Sequence, residues 1–232
     1  KAKVVILDSY KISLKFISSL KSKYPLRILI NDNIPKKECD CEVIINHNLY
    51  ARSLNYSKFK YTKILKGPKY NLIDKNYFNK VKKKNEITVF FGGKDNGSIS
   101  FLVVKELIKY SNKKINVLLS GFNKPNKKLI ELSNENKSVN LIHNKFSNSV
   151  LKNSSIYIGS SGVTAYEAFM CKIPGIIYVK SKNQTLNSKE LKKNGFTVLN
   201  QFIPKKFAEE AYKLFKKKKK YNITLHMAQI KL

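Results

Sequence analysis

Short apolar runs alternate with helix-patterned stretches along almost the whole chain, and that alternation leaves few folds open. Val4 to Leu7 reads as a buried strand, and Ile12, Phe16, Ile17 and Leu20 then recur at helical spacing. Leu26 to Ile30 is the next strand, closed by the turn-rich Asn31-Asp32-Asn33-Ile34-Pro35, and Val43 to Ile45 follows. Gly67-Pro68 breaks the pattern, and a lysine-rich stretch from Tyr77 to Lys84 reads as a helical connector. The alternation then restarts: strands at Ile87 to Phe91, Ile115 to Leu119, Val139 to Ile142, Ser155 to Ile158, Gly175 to Val179 and Thr197 to Leu199. Helices are expected between them, at Ser98 to Tyr110, Asn126 to Ser133, Ser147 to Leu151, Val163 to Cys171 and Gln184 to Lys193. Such a pattern specifies parallel βαβ units with right-handed crossovers.

Two blocks joined by a connector predict an α/β protein of two Rossmann-like lobes with parallel sheets. Residues 1–84 are read as the remainder of an N-terminal lobe plus connector, 85–203 as a C-terminal nucleotide-binding lobe, and 204–232 as a basic helix and tail. The chain enters on a strand only three residues after Lys1, which resembles neither a signal peptide nor a natural start. The first lobe is therefore expected to be incomplete, lacking an N-terminal portion.

Composition narrows the partners. The formal charge is +31, yet of 46 basic residues only Arg27 and Arg52 are arginine, the side chain preferred for forked contacts to phosphates and guanine. The lysines are spread along the chain, so nucleic acid is set aside as a partner, while attraction for small anionic molecules remains. The run Lys216 to Lys220 reads as a solvated helix end. No apolar run reaches the length of a membrane span. Cys39, Cys41 and Cys171 match no disulfide or zinc spacing, which suits a reducing cytoplasm. His47, His143 and His226 have no partners at ligand spacing and carry no assigned role, and no metal or cofactor is expected.

Four segments can carry chemistry. In Ile156-Tyr157-Ile158-Gly159-Ser160-Ser161-Gly162, a strand runs into small residues that open a helix. Free backbone N–H groups there suit a phosphate, and Glu167 in the second turn can accept from ribose hydroxyls. Equally, Ser160 or Ser161 can be a plain N-cap and Glu167 an ordinary helix acid. Phe91-Gly92-Gly93-Lys94-Asp95 lies past another strand; its glycines permit close approach of phosphate or sugar, or form a simple turn capped by Asp95 and Asn96. Neither segment has the spacing of GxGxxG or of a P-loop. Asn183-Gln184, after the strand ending near Val179, can hold sugar hydroxyls or water, or cap the next helix. Asp8-Ser9-Tyr10 offers a phenol at the end of the first strand, unless it merely closes it.

In order, these pieces resemble the UDP-sugar hydrolases of pseudaminic acid biosynthesis and the related spore-coat polysaccharide proteins, small relatives of the GT-B N-acetylglucosaminyltransferases. The matching segments are Asp8-Ser9-Tyr10, Asn31-Asp32-Asn33, Cys39-Asp40, Val43 to Asn48, Gly67 to Tyr70, Phe91 to Asp95, Gly159 to Gly162, Tyr166-Glu167-Ala168, Ile173-Pro174 and Asn183-Gln184. They span about Val4 to Gly195, and their order is more specific than any one of them. The resemblance implies a GT-B-like fold and attack of water at the anomeric carbon of a UDP-2,4-diacetamido-2,4,6-trideoxyhexose. It places Gly92, Gly93, Asp95, Ser160, Ser161, Gly162, Glu167 and Gln184 around the substrate, and Tyr10 and Asn183 around the reacting sugar. The family's base, a histidine in a Gly-His-x-x-Arg segment, has no counterpart, because no Gly-His pair occurs in the sequence. His47 sits in a different motif. Two rivals stand beside the hydrolase: a GT-B glycosyltransferase, and a binding protein without turnover that holds a nucleotide-sugar or, through its lysines, a polyanion.

Overall fold

The computed structural model describes residues 2–74, 77, 84–122, 124–144 and 148–216. These fold as two units, and the chain passes from one to the other between Leu72 and Ile73. The expected boundary lay twelve residues later, at the end of the connector; residues 78–83 of that connector fall outside the described residues.

The first unit holds a four-stranded parallel sheet in the order β1 (Val4–Leu7), β2 (Leu26–Ile30), β3 (Val43–Asn46) and β4 (Lys63–Lys66). Helix α1 (Leu14–Ser19) joins β1 to β2 and begins at Ser13, whose hydroxyl accepts from the Phe16 amide at 3.1 Å. That bond satisfies one of the donors every helix start leaves open. Leu7, Ile17, Leu29, Ile44, Tyr56 and Phe59 form the core of this unit. Strand β4 was not expected. Its sequence, Lys-Ile-Leu-Lys, has only two apolar residues between lysines, the pattern of a sheet edge rather than of a buried strand.

The second unit is a six-stranded parallel sheet in the order β10-β9-β8-β5-β6-β7. The strands are β5 (Glu86–Phe90), β6 (Lys114–Leu119), β7 (Val139–His143), β8 (Ile156–Ser160), β9 (Gly175–Tyr178) and β10 (Thr197–Leu199). Between them run α2 (Ser98–Tyr110), α3 (Lys127–Glu135), α4 (Asn148–Asn153), α5 (Val163–Met170) and α6 (Thr185–Lys193). The chain starts at the sheet centre with β5, works outward through β6 and β7, then returns to lay β8 on the other side of β5. Adjacent β5 and β8 therefore mark the reversal of strand order, where ligands of open α/β sheets bind beyond the carboxyl ends.

Helix α7 (Pro204–Lys216) closes this unit rather than leaving it as a tail. It packs on α2, and its Phe207, Ala208 and Ala211 join the core with Ile87, Val89, Ile156 and Ile158. Phe207 and Phe91 meet edge to face, ring centres 5.6 Å apart. The helix begins at Pro204, a residue well suited to a first turn. Lysines 217–220 of the basic run, and His226, lie outside the described residues. No described helix is long and apolar enough to cross a membrane.

Candidate functional site

Both glycine-containing turns end at the reversal between β5 and β8. Gly92 adopts φ +92°, a left-handed conformation that favours glycine, and a Cβ placed on it would stand 3.5 Å from the Ser160 hydroxyl oxygen. Gly159 is needed for space instead. A Cβ there would fall 2.0 Å from the Phe90 carbonyl oxygen and 2.5 Å from the Tyr157 hydroxyl. That hydroxyl, fully buried, is shared between the carbonyl oxygens of Phe90 at 3.1 Å and Ser160 at 3.2 Å. The two strand ends are thereby tied together.

Beyond Ser161, Gly162 is the N-cap residue of α5 and, as a glycine, brings no side chain to cap the helix start. Its first amides, with the helix dipole, are the kind of donors that bind anions. Ser161 is 1% exposed, and its buried hydroxyl makes no hydrogen bond among the described residues. Asn187, from α6, donates to the Ser161 carbonyl at 3.3 Å, while its own Oδ1 is buried with no partner among the described residues. Gln184 brings its Nε2 to 3.9 Å from where a Gly162 Cβ would be, its Oε1 accepting from the Lys180 amide at 3.1 Å. Asn183 is exposed and bonded to the Ser181 hydroxyl at 2.5 Å. Asn187 was not foreseen; in sequence it is one polar residue of a lysine-rich helix.

Asp95 is buried and turned away from this mouth. Its Oδ1 accepts from the amides of Gly97 and Ile99, and its Oδ2 from the amide and hydroxyl of Ser100. Its own amide donates to the Gly92 carbonyl at 3.0 Å. The residue expected at the substrate thus fastens the glycine turn to the start of α2.

Glu167 is half-buried on α5, beside Thr164 and the buried hydroxyl of Tyr77. Burial raises its carboxyl above the ordinary range, and the two neighbouring hydroxyls oppose the rise. The Tyr77 hydroxyl falls short of full hydrogen-bond geometry, and its own pKa is pushed up by burial and then by the Glu167 charge. The Cys171 thiol donates to the Tyr77 carbonyl at 3.3 Å, which anchors that tyrosine.

Next to the glycine turn lies a recess of about 390 Å³ lined by Phe90, Leu119, Ser120, Gly121, Phe122 and Asn144. Ser120 joins it to the turn by donating to the Gly93 carbonyl at 2.6 Å. Its walls come from the ends of three strands separated by tens of residues, so no local signal announced it.

In the first unit, described by itself, Tyr10 is 67% exposed and hydrogen-bonds the Asp32 carboxylate. The other Asp32 oxygen accepts from Asn48 at 2.7 Å, and the Asp32 carbonyl from Asn46 and Tyr50 at 3.1 Å each. His47 belongs to the same cluster: burial lowers its pKa, while the charges of Asp32 and then Asp8 raise it. Asp8, Tyr10, Asp32 and His47 all lie just past the carboxyl ends of β1, β2 and β3. Among the described residues no group of histidines, cysteines and carboxylates is arranged to hold a metal.

No protein-family model matches the chain, and no curated protein does. Solved structures do. Spinosyn rhamnosyltransferase SpnG complexed with thymidine diphosphate aligns over 92% of this chain and 65% of its own, with 11% identity and a TM-score of 0.59. Acinetobacter baumannii MurG gives 92%, 65%, 11% and 0.56 in the same order. An Arabidopsis thaliana UGT complexed with UDP-L-rhamnose gives 90%, 62%, 10% and 0.62. The chain thus spans just under two thirds of the length of each. At such identities the likeness is one of architecture: two Rossmann-like units with parallel sheets, a GT-B-like fold.

Proposed function

We propose that the chain binds a UDP-sugar at the β5/β8 mouth and hydrolyses it to UDP and a free 2,4-diacetamido-2,4,6-trideoxyhexose, as in pseudaminic acid biosynthesis. The observation that carries the binding half is the uncapped start of α5 behind Gly159 to Gly162, facing the left-handed Gly92. In this reading the amides of α5 and of the Gly92-Gly93 turn receive the diphosphate. Glu167 accepts from the two ribose hydroxyls, and the recess beside Phe122 takes the flat base. Asp95 serves by holding the turn, while Ser160, Ser161, Gly162 and Gln184 line the mouth.

For the chemical half, the resemblance assigns Tyr10 and Asn183 to the reacting sugar. Water forms a bond to the anomeric carbon, and the bond from that carbon to the diphosphate oxygen breaks. The proton of the water goes to a base other than the family's Gly-His-x-x-Arg histidine, which has no counterpart in this sequence. Charge that develops on the leaving diphosphate is met by fixed N–H donors, the interaction that most lowers such barriers. The second reading is a GT-B glycosyltransferase, in which a sugar or lipid hydroxyl takes the place of water; the architecture shared with SpnG favours it.

Incubation of the chain with the UDP-sugar and no acceptor separates them. Rapid UDP release supports hydrolysis, and release only on adding an acceptor supports transfer. Tight UDP binding without either reaction leaves a binding protein. Absence of UDP binding would remove all three and leave only a lysine-driven polyanion binder.

A further inference from the structure

Cys39 and Cys41 flank Asp40 in a one-residue turn ahead of β3. The Cys41 amide donates to the Cys39 carbonyl at 2.8 Å, and the Thr62 hydroxyl is shared between the carbonyls of Cys39 at 3.2 Å and Cys41 at 3.0 Å. This turn sends both side chains the same way and leaves the sulfurs 3.2 Å apart. Both residues are buried, at 2% and 5% exposure, yet with Lys21, Arg27 and Tyr61 they line a cleft of about 350 Å³ that a small molecule can enter.

The contact between the two sulfurs favours a thiolate at Cys39. The guanidinium of Arg27 is buried beneath the cleft, paired with Glu42 at 2.5 Å and Asp40 at 3.4 Å, and its Nη1 makes no hydrogen bond among the described residues. The thiol–thiol contact lowers the Cys39 pKa most and the Arg27 charge assists, against burial and the Asp40 charge. The same contact, with burial, pushes Cys41 up. One sulfur is prepared to attack while the other keeps its proton.

We propose that Cys39 and Cys41 form a redox-active dithiol, oxidised by small hydroperoxides to an intrachain disulfide, with Cys39 attacking and Cys41 resolving. The Cys39 sulfur attacks one peroxide oxygen, the O–O bond breaks, and the other oxygen leaves and is protonated to water. Cys39 is then a sulfenic acid. The Cys41 sulfur attacks that of Cys39, the S–S bond forms, and the hydroxyl leaves as a second water with the Cys41 proton. Two thiols and one hydrogen peroxide become one disulfide and two waters. The sulfurs need to close by about 1.2 Å to reach the disulfide length of about 2.0 Å. Such a pair is reopened by cellular thiols, in keeping with a reducing compartment.

The test treats the full chain with hydrogen peroxide under native conditions, blocks remaining thiols by alkylation, and maps the peptides. The expected product carries a Cys39–Cys41 link, two hydrogens lighter and restored by dithiothreitol, with Cys171 still reduced. In Cys41→Ser, dimedone is expected to capture a sulfenic acid at Cys39. In Cys39→Ser, oxidation of Cys41 is expected to slow by about tenfold or more. If either variant fails to fold, the wild-type map decides alone. Cys39 and Cys41 both remaining reduced while free glutathione in the same tube is consumed would overturn the proposal. So would links only between chains, or a Cys39→Ser variant oxidised as fast as the parent.

Discussion

The Tyr157 hydroxyl reaches the Phe90 carbonyl at 3.1 Å, so a phenol from β8 ties down the end of β5. The same oxygen lies 3.2 Å from the Ser160 carbonyl, within its own strand. Tyr157→Phe keeps the ring and deletes this link. The expected loss is about 1–2 kcal/mol of stability, the scale for a buried hydrogen bond. Chemical denaturation measures it, and UDP affinity is expected to fall with it because the two turns lose their common tether. Unchanged stability would show that the hydroxyl ties nothing.

Gly92→Ala separates backbone strain from crowding. The nearest atom to the added methyl would be the Ser160 hydroxyl at 3.5 Å, an ordinary contact. The stability loss therefore comes from φ +92°, at about 1–2 kcal/mol. The methyl also projects where the diphosphate is proposed to lie, so calorimetry is expected to show UDP binding weakened by about tenfold or more. Binding as tight as the parent's would remove the turn from the site.

Glu167→Gln pits function against stability. The folded state raises this carboxyl, so at pH values above the ordinary carboxylate range the unfolded chain holds the charge more comfortably. Its contribution is fully present below the unfolded pKa and is lost as pH rises through the folded one. At neutral pH the glutamine variant is therefore expected to melt at the same temperature or higher, with a flatter pH dependence. UDP is expected to bind about tenfold more weakly, as one charge-assisted bond pattern to the ribose is lost. A variant that is destabilised at neutral pH and binds normally would contradict both halves.

His47 acts in the opposite direction. Burial lowers its pKa despite Asp32 and Asp8, so the unfolded chain takes up the proton first on acidification. Stability from this group is present above the ordinary histidine pKa and is lost as pH falls through it towards the folded value. Melting curves across this window are expected to show the slope in the parent and not in His47→Gln.

Much of this was legible. Each strand of the second unit was foreseen to within two residues, because a fully covered parallel sheet writes itself as unbroken apolar runs such as Ile156 to Ile158. The turn at Gly159 to Gly162 stood out for the same reason: small residues interrupt both periodicities at once. What was hidden is what depends on distance in space. The recess around Phe122 and Asn144, the approach of Asn187 to Ser161, and the Tyr77 hydroxyl beside Glu167 join residues that sequence keeps far apart. Asp95 was ambiguous because a carboxylate after two glycines suits a ligand as well as a helix start; only its four hydrogen bonds show where its oxygens are engaged.

Helix α7 adds a point about synthesis. Its Phe207 rests on Phe91, the residue immediately before the Gly92-Gly93 turn, and it is the last described element to leave the ribosome. A nascent chain ending at Leu199 already contains every residue proposed to touch the nucleotide, but the floor beneath the glycine turn is still missing. The proposed nucleotide site is thus expected to form only after the final helix docks, and clones that stop short of residue 204 are expected to bind UDP poorly.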